Sequence, residues 1–348
     1  MTSTARIADT RGMTETGPLP DPSSAPAIPG LQARFFAGPD DYGPIAELIG
    51  AAMIADGVPY APTATNLKID METNEGSDRF DDVVVAEVDG RLIARSTVER
   101  MVRDDTPMYK VEGEVHPDYR RRGIGTWLFD WSVARAKARA AVEDPGVHVK
   151  LTSWTEDASL GNVALLNRAG FQPVRSFYLM HRTLVDEIPD APLPDGLEIR
   201  PVVDGHRRAI LEAENEAFRD HWGHREMTET TYTATFARPE LDTNLWVVAW
   251  DGDQIAGVVQ NWIWPTENER LGVKRGWLEH ISVRRPWRRR GLARAITAAS
   301  LIRLREAGME DGILGVDSEN ANGALGLYEG LGFEQVSRAA AYRRDLEV

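Results

Sequence analysis

The sequence predicts an α/β protein built as two units in tandem, and three landmarks predict it. An Asp-Gly hairpin turn, an arginine-rich turn between a strand and a helix, and a Gly-Phe pair after a short helix each occur twice, in the same order. The copies lie about 162 residues apart at the Asp-Gly and Gly-Phe pairs and about 168 apart at the arginine turns, the size of a domain. Between the landmarks, strand-like and helix-like patterns alternate, as in a sheet layered with helices.

In chain order, Leu31 to Phe36 reads as a strand and Asp40 to Ala52 as a helix, with Ile45, Leu48 and Ile49 at helical spacing. Residues Gly57 to Ser77 show no clear period. Val83 to Glu87 and Arg91 to Val98 form a hairpin around Asp89-Gly90. After the first arginine turn, Trp127, Trp131, Ala134 and Ala138 line one side of a helix. Val147 to Thr152 is a strand, Leu160 to Ala169 a short helix closed by Gly170, and Tyr178 to Arg182 a last strand. Pro189, Pro192 and Pro194 then mark a linker.

The second unit repeats this order. Leu197 to Val202 is a strand, His206 to Phe218 a helix, and Leu245 to Ala249 with Ile255 to Gln260 a hairpin around Asp251-Gly252. Leu292, Ile296, Ala299 and Ile302 form the stripe of a helix that Gly308 closes. Ile313 to Val316 is a strand, Ala324 to Glu329 a short helix, and Ala341 to Asp345 the last strand. The 348 residues thus divide into a disordered tail at 1–30, a first domain at 31–184, a linker at 185–196 and a second domain at 197–348.

Composition narrows the function. No apolar run approaches the roughly 18 residues that span a bilayer, and the Pro- and Ser-rich start lacks the apolar core of a secretion signal. The chain has no cysteine, which removes disulfides, thiol nucleophiles and cysteine-ligated metals, and fits a reducing cytoplasm. A net charge of −14 opposes general nucleic-acid binding, so the two arginine turns stand as local basic sites on an acidic body. That contrast suits a small anionic ligand; no metal and no membrane partner is expected, and the oligomeric state is left open.

The turns carry the motif. WLEHISVRRPWRRRGLAR, Trp277 to Arg294, joins a short strand (Leu278, Ile281, Val283) to a helix start through Pro286 and three arginines; EVHPDYRRRGIGT, Glu114 to Thr126, has the same build. A strand, a basic turn and a helix start offer a diphosphate free backbone N–H groups and the positive end of the helix dipole. Gly291 lets the backbone come close. Neither stretch has the glycines of a dinucleotide fingerprint or the Gly-Lys-Ser/Thr of a Walker loop.

Both stretches resemble the R/Q-x-x-G-x-G/A element of the GCN5-related N-acetyltransferases, through Arg288, Gly291 and Ala293 in one and Arg120, Gly123 and Gly125 in the other. The resemblance spans about residues 32 to 346. It implies two acyl-CoA N-acyltransferase (GNAT) domains, each a mixed, strongly bent sheet flanked by helices, with the cofactor held where two central strands splay. The tandem layout is like that of mycothiol synthases. Acetyl-CoA would then lie along Ile281, Ser282, Val283 and Arg288, Arg289, Arg290, Gly291, Leu292, Ala293 and Arg294 in the second domain. In the first it would lie along Val115, Arg120, Arg121, Arg122, Gly123, Ile124, Gly125 and Thr126.

The resemblance also carries the chemistry. Acetyl transfer to an amine needs a polarised thioester carbonyl, a neutral amine and a proton for the thiolate. In N-A-N-G-A-L-G-L-Y-E-G-L-G-F, Asn320 to Phe333, Tyr328 falls where the family keeps its general acid and Asn320 where it contacts the pantetheine arm. Aligning the Gly-Phe pairs puts Leu166 opposite Tyr328 and Ala158 opposite Asn320, so the first domain reads as non-catalytic. Glu279 is the preferred base and His280 the next. Simple alternation would put Glu279 on one face with Ile281, and His280 on the other with Ser282. The acceptor, a small-molecule primary amine, would meet Phe218, Asp220, His221, Trp222, His224, Trp262 or Trp264. Two other readings stay open: a non-catalytic acyl-CoA-binding protein, and a mycothiol-synthase-like enzyme acting on a cysteinyl amino sugar.

Overall fold

The computed structural model describes residues 17–347 except 104, 225, 321 and 322. The first half runs β1 (Leu31–Phe35), α1 (Tyr42–Ala55), α2 (Ala64–Thr73), β2 (Val83–Val88), β3 (Arg91–Arg103), β4 (Thr106–Val115), α3 (Ile124–Glu143), β5 (Val149–Glu156), α4 (Leu160–Arg168) and β6 (Gln172–Thr183). The second runs β7 (Glu198–Arg200), α5 (Arg207–Phe218), α6 (Glu229–Phe236), β8 (Val247–Asp251), β9 (Gln254–Ile263), α7 (Pro265–Leu271), β10 (Arg275–Val283), α8 (Leu292–Glu306), β11 (Asp311–Asp317), α9 (Ala324–Glu329) and β12 (Glu334–Leu346).

The twelve strands form one mixed sheet in the order β1, β2, β3, β4, β5, β12, β6, β11, β10, β9, β8, β7. The order is symmetric about the β12–β6 pair, because each half lends its last strand to the other. β12 lies antiparallel to β5 from Ala339 opposite Glu156 to Leu346 opposite Val149, and β6 lies antiparallel to β11 from Phe177 opposite Asp317 to Thr183 opposite Asp311. The sequence places both strands but not this exchange. A period of two says which face a residue takes, not which neighbour its strand takes.

Each half has a core on either face of the sheet, and strand alternation sorts residues between them. Val84 and Ala86 face α3, whereas Val83 and Val85 face α1 and α2. Val247 and Ala249 face α8, and Val248 and Trp250 face α5. Helix α2 falls inside the stretch without visible period: only its Asn66 and Leu67 are buried, too few for a stripe, and the Thr63 hydroxyl caps it by accepting from the Asn66 amide at 3.1 Å.

The segment expected to be a disordered tail behaves otherwise where it is described. Residues 1–16 lie outside the described residues; beyond them the chain straps across α3. The indole N–H groups of Trp131 and Trp127 donate to the carbonyls of Pro18 and Asp21, each at 2.9 Å, and Ala25 and Ile28 pack on the core. Buried indoles need acceptors, and this strap supplies them. The linker packs likewise, through Ile188, Ala191 and Leu193.

Candidate active site

Two clefts open where the parallel strands part. β10 and β11 pair only from Arg275–Trp277 to Asp311–Ile313, and β4 and β5 only from Met108–Lys110 to Lys150–Thr152. Beyond these pairs the two backbones no longer pair with each other; in the first cleft the Ser153 hydroxyl donates to the Val111 carbonyl at 2.9 Å. At the mouth of each cleft, two residues adopt left-handed backbone one residue apart: Arg289 (φ 59°) and Gly291 (φ 86°), Arg121 (φ 63°) and Gly123 (φ 90°). This geometry turns successive amides toward one point and forms a nest for an anion. Gly291 and Gly123 start α8 and α3 with no side-chain cap on either helix, so the first-turn N–H groups also face outward. Exposed N–H groups at a helix start are of the kind that can hold a diphosphate.

The arginines divide into two kinds. Arg288 donates to the carbonyls of Val283 (2.9 Å) and Ala217 (2.8 Å) and to Asp220 (2.9 Å). Arg120 does the same to Val115 (3.2 Å), Ala52 (3.0 Å) and Asp56 (2.6 Å). Both are committed to tying the loop to the strand before it and to the end of α5 or α1. Arg285 and Arg288 together hold the Asp220 carboxyl well below the usual carboxylate range. Arg121, Arg122, Arg289 and Arg290 are exposed at the loop, with Arg294 half-buried one helical turn on. Ile124 and Leu292 are core anchors, 1% exposed, while Gly125 and Ala293 keep the first turn small. The Thr126 hydroxyl accepts from Arg168 at 3.0 Å.

The two central strands differ by one residue. β4 pairs with β3 without interruption from Ala94 opposite Val115 to Arg103 opposite Thr106. β10 carries a bulge: Glu279 faces Gln260 and Ser282 faces Val258, so His280 and Ile281 together oppose Val259. His280 takes φ 45°, a conformation that side chains seldom adopt. The bulge overturns simple alternation. Ile281 packs with Leu278 on the α8 core, whereas the His280 ring lies 5.8 Å from that of Phe218 on α5, and its Nδ1 lies 3.6 Å from Glu214. Glu279 shares that face by alternation with Trp277, whose indole donates to Glu267 on α7 at 2.8 Å. Two ionisable side chains are thereby brought together on the face opposite α8.

Burial pushes the Glu279 carboxyl above its usual pKa, against the pull of His280 and Arg238. Burial also disfavours the charged form of His280, but Glu214 outweighs it and raises this imidazole. In the first half the register places Glu112 where Glu279 stands, both one step short of the bulge position. Glu112 is neutralised by Lys110 at 2.7 Å and the neighbouring Glu114 by Arg95 at 2.5 Å. These pairs lie in a cavity of about 1130 Å³ that runs from Arg121 and Gly123 to Tyr60 and Asp70.

Tyr328 is buried on α9, edge-on to Phe333 at 6.0 Å, and burial pushes its phenol well above the usual value. Ser282 is buried, its hydroxyl donating to Val258, and Val283 packs on the α8 core. Asn320 stands between β11 and α9, its backbone N–H donating to the Asp317 carbonyl at 3.1 Å. Of the aromatic candidates for the acceptor side, Trp262 and Trp264 stack in parallel at 5.1 Å, and Trp222 lies under Arg343 at 4.5 Å.

One part of this side was not visible in the sequence. Arg238, at the end of α6, pairs with Asp70 and donates to Asn66 at 3.2 Å, and the Asn66 amide donates to Glu240 at 3.2 Å. Helix α2 of the first half is thereby tied to Arg238, the residue whose charge favours the ionised form of Glu279. Contacts between residues about 170 apart leave no local pattern to read.

Comparison with known proteins agrees with this geometry. Residues 207–333 match the acetyltransferase (GNAT) family and residues 79–173 a GNAT domain of the same kind. A mycothiol acetyltransferase of Salinispora arenicola is 34% identical over 239 residues, covering 67% of this chain and 72% of its own. Another, of Catenulispora acidiphila, is 29% identical over 314 residues, covering 87% and 95%. Among solved structures, a GCN5-related N-acetyltransferase from Sphaerobacter thermophilus superposes with a TM-score of 0.68 at 28% identity, covering 91% of this chain and 96% of its own. A tandem GNAT protein from the clavulanic acid pathway shares the fold, with a TM-score of 0.65 at 17% identity, covering 91% and 99%. With two splayed clefts, two anion nests and these relatives, the chain belongs to the GNAT acetyltransferases as a tandem member, an N-acetyltransferase that takes its acyl group from an acyl-CoA.

Proposed function

We propose that the second half, residues 197–348, transfers the acetyl group of acetyl-CoA to the primary amine of a small molecule by direct attack in a ternary complex. The observation that carries this reading is the bulge at His280, which gathers Glu279 and His280 on one face, on the strand that leads into the Arg289–Gly291 nest. Acetyl-CoA supplies an activated thioester, and the remaining chemistry falls to the chain. The amides of Arg289 to Arg294 hold the diphosphate, with Asn320 along the pantetheine arm. Glu279, whose raised pKa makes it a stronger base than an ordinary carboxylate, takes a proton from the acceptor ammonium. Tyr328, kept protonated by burial, donates to the departing thiolate.

The first half, residues 31–184, holds acyl-CoA without turning it over. Leu166 has no proton to give, and Glu112 is already paired. A second acceptor class is favoured by the names of the relatives: the amine of a cysteinyl amino sugar, as in mycothiol synthesis. The test is thiol release from acetyl-CoA over a panel of small amines that includes such a sugar. Turnover that falls steeply in Tyr328→Phe, with acetyl-CoA still bound, supports the reading. Acetyl-CoA binding without turnover of any amine would leave a binding protein instead.

A further inference from the structure

A proton has to leave this site on every turnover. A primary ammonium carries three N–H protons; the amide keeps one and the thiol of coenzyme A takes one, so one goes to water. Glu279 is only partly exposed, and burial raises its pKa, whereas the imidazole next to it in the chain is exposed.

Three observations mark the exit. The imidazole of His280, next in the chain and on the same face, is 43% exposed. Its Nδ1 lies 3.6 Å from Glu214 Oε1. Glu214 is 2% exposed on α5; Gln260 donates to its Oε2 at 2.6 Å, while Oε1 has no hydrogen-bond partner among the described residues. A buried carboxylate oxygen left without a donor is costly, and here it lies beside an imidazole that can supply an N–H. The charged groups facing the imidazole are Glu214 from α5 and Glu279 from its own strand, with Arg238 acting on Glu279 from α6.

We propose that Glu214 and His280 form a proton exit for the acetyl-transfer reaction. Glu214 is a positioning residue that accepts Nδ1–H and so leaves Nε2 to take the proton from Glu279 and pass it to water. The N–H bond formed at Nε2 is broken again by solvent, so the pair returns to its starting state with no other reactant. The first half has no such device, because the residue added by the bulge has no counterpart in β4.

This inference rests on the acetyltransferase reading above, and the experiment separates the two. Wild type, Glu214→Gln and His280→Ala are assayed with acetyl-CoA and the best amine of the panel in dilute buffer, then with increasing free imidazole. Binding of acetyl-CoA is measured in parallel by calorimetry. The expected result is a fall in kcat of about tenfold to a hundredfold in both variants. Acetyl-CoA affinity stays as in wild type, and imidazole restores the rate of His280→Ala. An unchanged kcat in His280→Ala, or a reduced kcat that imidazole does not raise, overturns the proton exit. Should Glu214→Gln fail to fold, His280→Ala decides, since its side chain is half in solvent. A wild-type enzyme that binds acetyl-CoA but acetylates no amine overturns the underlying reading, and this inference with it.

Discussion

Leu166 and Tyr328 occupy the same place in the two halves of the molecule. Each gives its carbonyl to the amide of the phenylalanine five residues on, Phe171 or Phe333, at 3.0 Å, across a left-handed glycine. Both are buried, so the one difference between them is a phenol, and the first prediction follows. Tyr328→Phe keeps the packing against Phe333 and lowers kcat by roughly a hundredfold, the ordinary scale of a lost general acid. Acetyl-CoA affinity stays within about twofold, since general acid work is not binding work. Steady-state kinetics and calorimetry on the same preparation check both halves of the statement.

As the proposed base, Glu279 acts only when ionised, so the rate is expected to rise with pH through its raised pKa. Glu279→Gln removes that rise. Arg238 favours the ionised carboxylate, and its removal shifts the pKa further up; in Arg238→Ala the rise in kcat/KM therefore moves to higher pH. A pH profile of wild type and both variants tests the sign.

Gly291 has open space around the position of a Cβ, so the cost of Gly291→Ala is conformational, about 1–2 kcal/mol at φ 86°. Any relaxation of that strain flattens the nest, and acetyl-CoA binding in the second half weakens by about tenfold. Gly123→Ala does the same in the first half, with an added contact to Pro26 at 3.4 Å. Titrating acetyl-CoA into each variant assigns the binding steps to the halves.

Asp220 holds Arg285 and Arg288, and Asp220→Asn frees the loop without touching the phosphate cradle itself. The expected outcome is weaker acetyl-CoA binding with kcat at saturation unchanged within about twofold. Because its carboxyl is held below the usual range, the lock in wild type is present above the ordinary carboxylate pKa. It is lost only as the pH falls through the depressed value. Calorimetry with acetyl-CoA and saturation kinetics on Asp220→Asn at neutral pH check the outcome.

The parts legible in the sequence were those fixed by near neighbours. The Asp-Gly hairpins, the arginine turns and the Tyr328–Phe333 turn each depend on a few consecutive residues, and the structure holds them where the spacing put them. The grouping of Glu279 with Ile281 failed because alternation assumes an unbroken strand, and a bulge of one residue reverses the faces after it relative to those before. Glu214 gave no signal at all: on an amphipathic helix, an acid facing inward looks like any other until the ring opposite is known. Trp127 and Trp131 announced a buried helix face but not the strap at Pro18 and Asp21 that covers it, since a backbone carbonyl can come from any residue.

The crossed placement of β6 and β12 also bears on how the chain is made. During synthesis β5 emerges long before its partner, and the edge it shows stays open until residues 334–346 have been translated. The earlier half therefore reaches the pairing seen here only once the later one has been made. Deleting either half removes a neighbour from the other's last strands, which ties the two copies to a common fate.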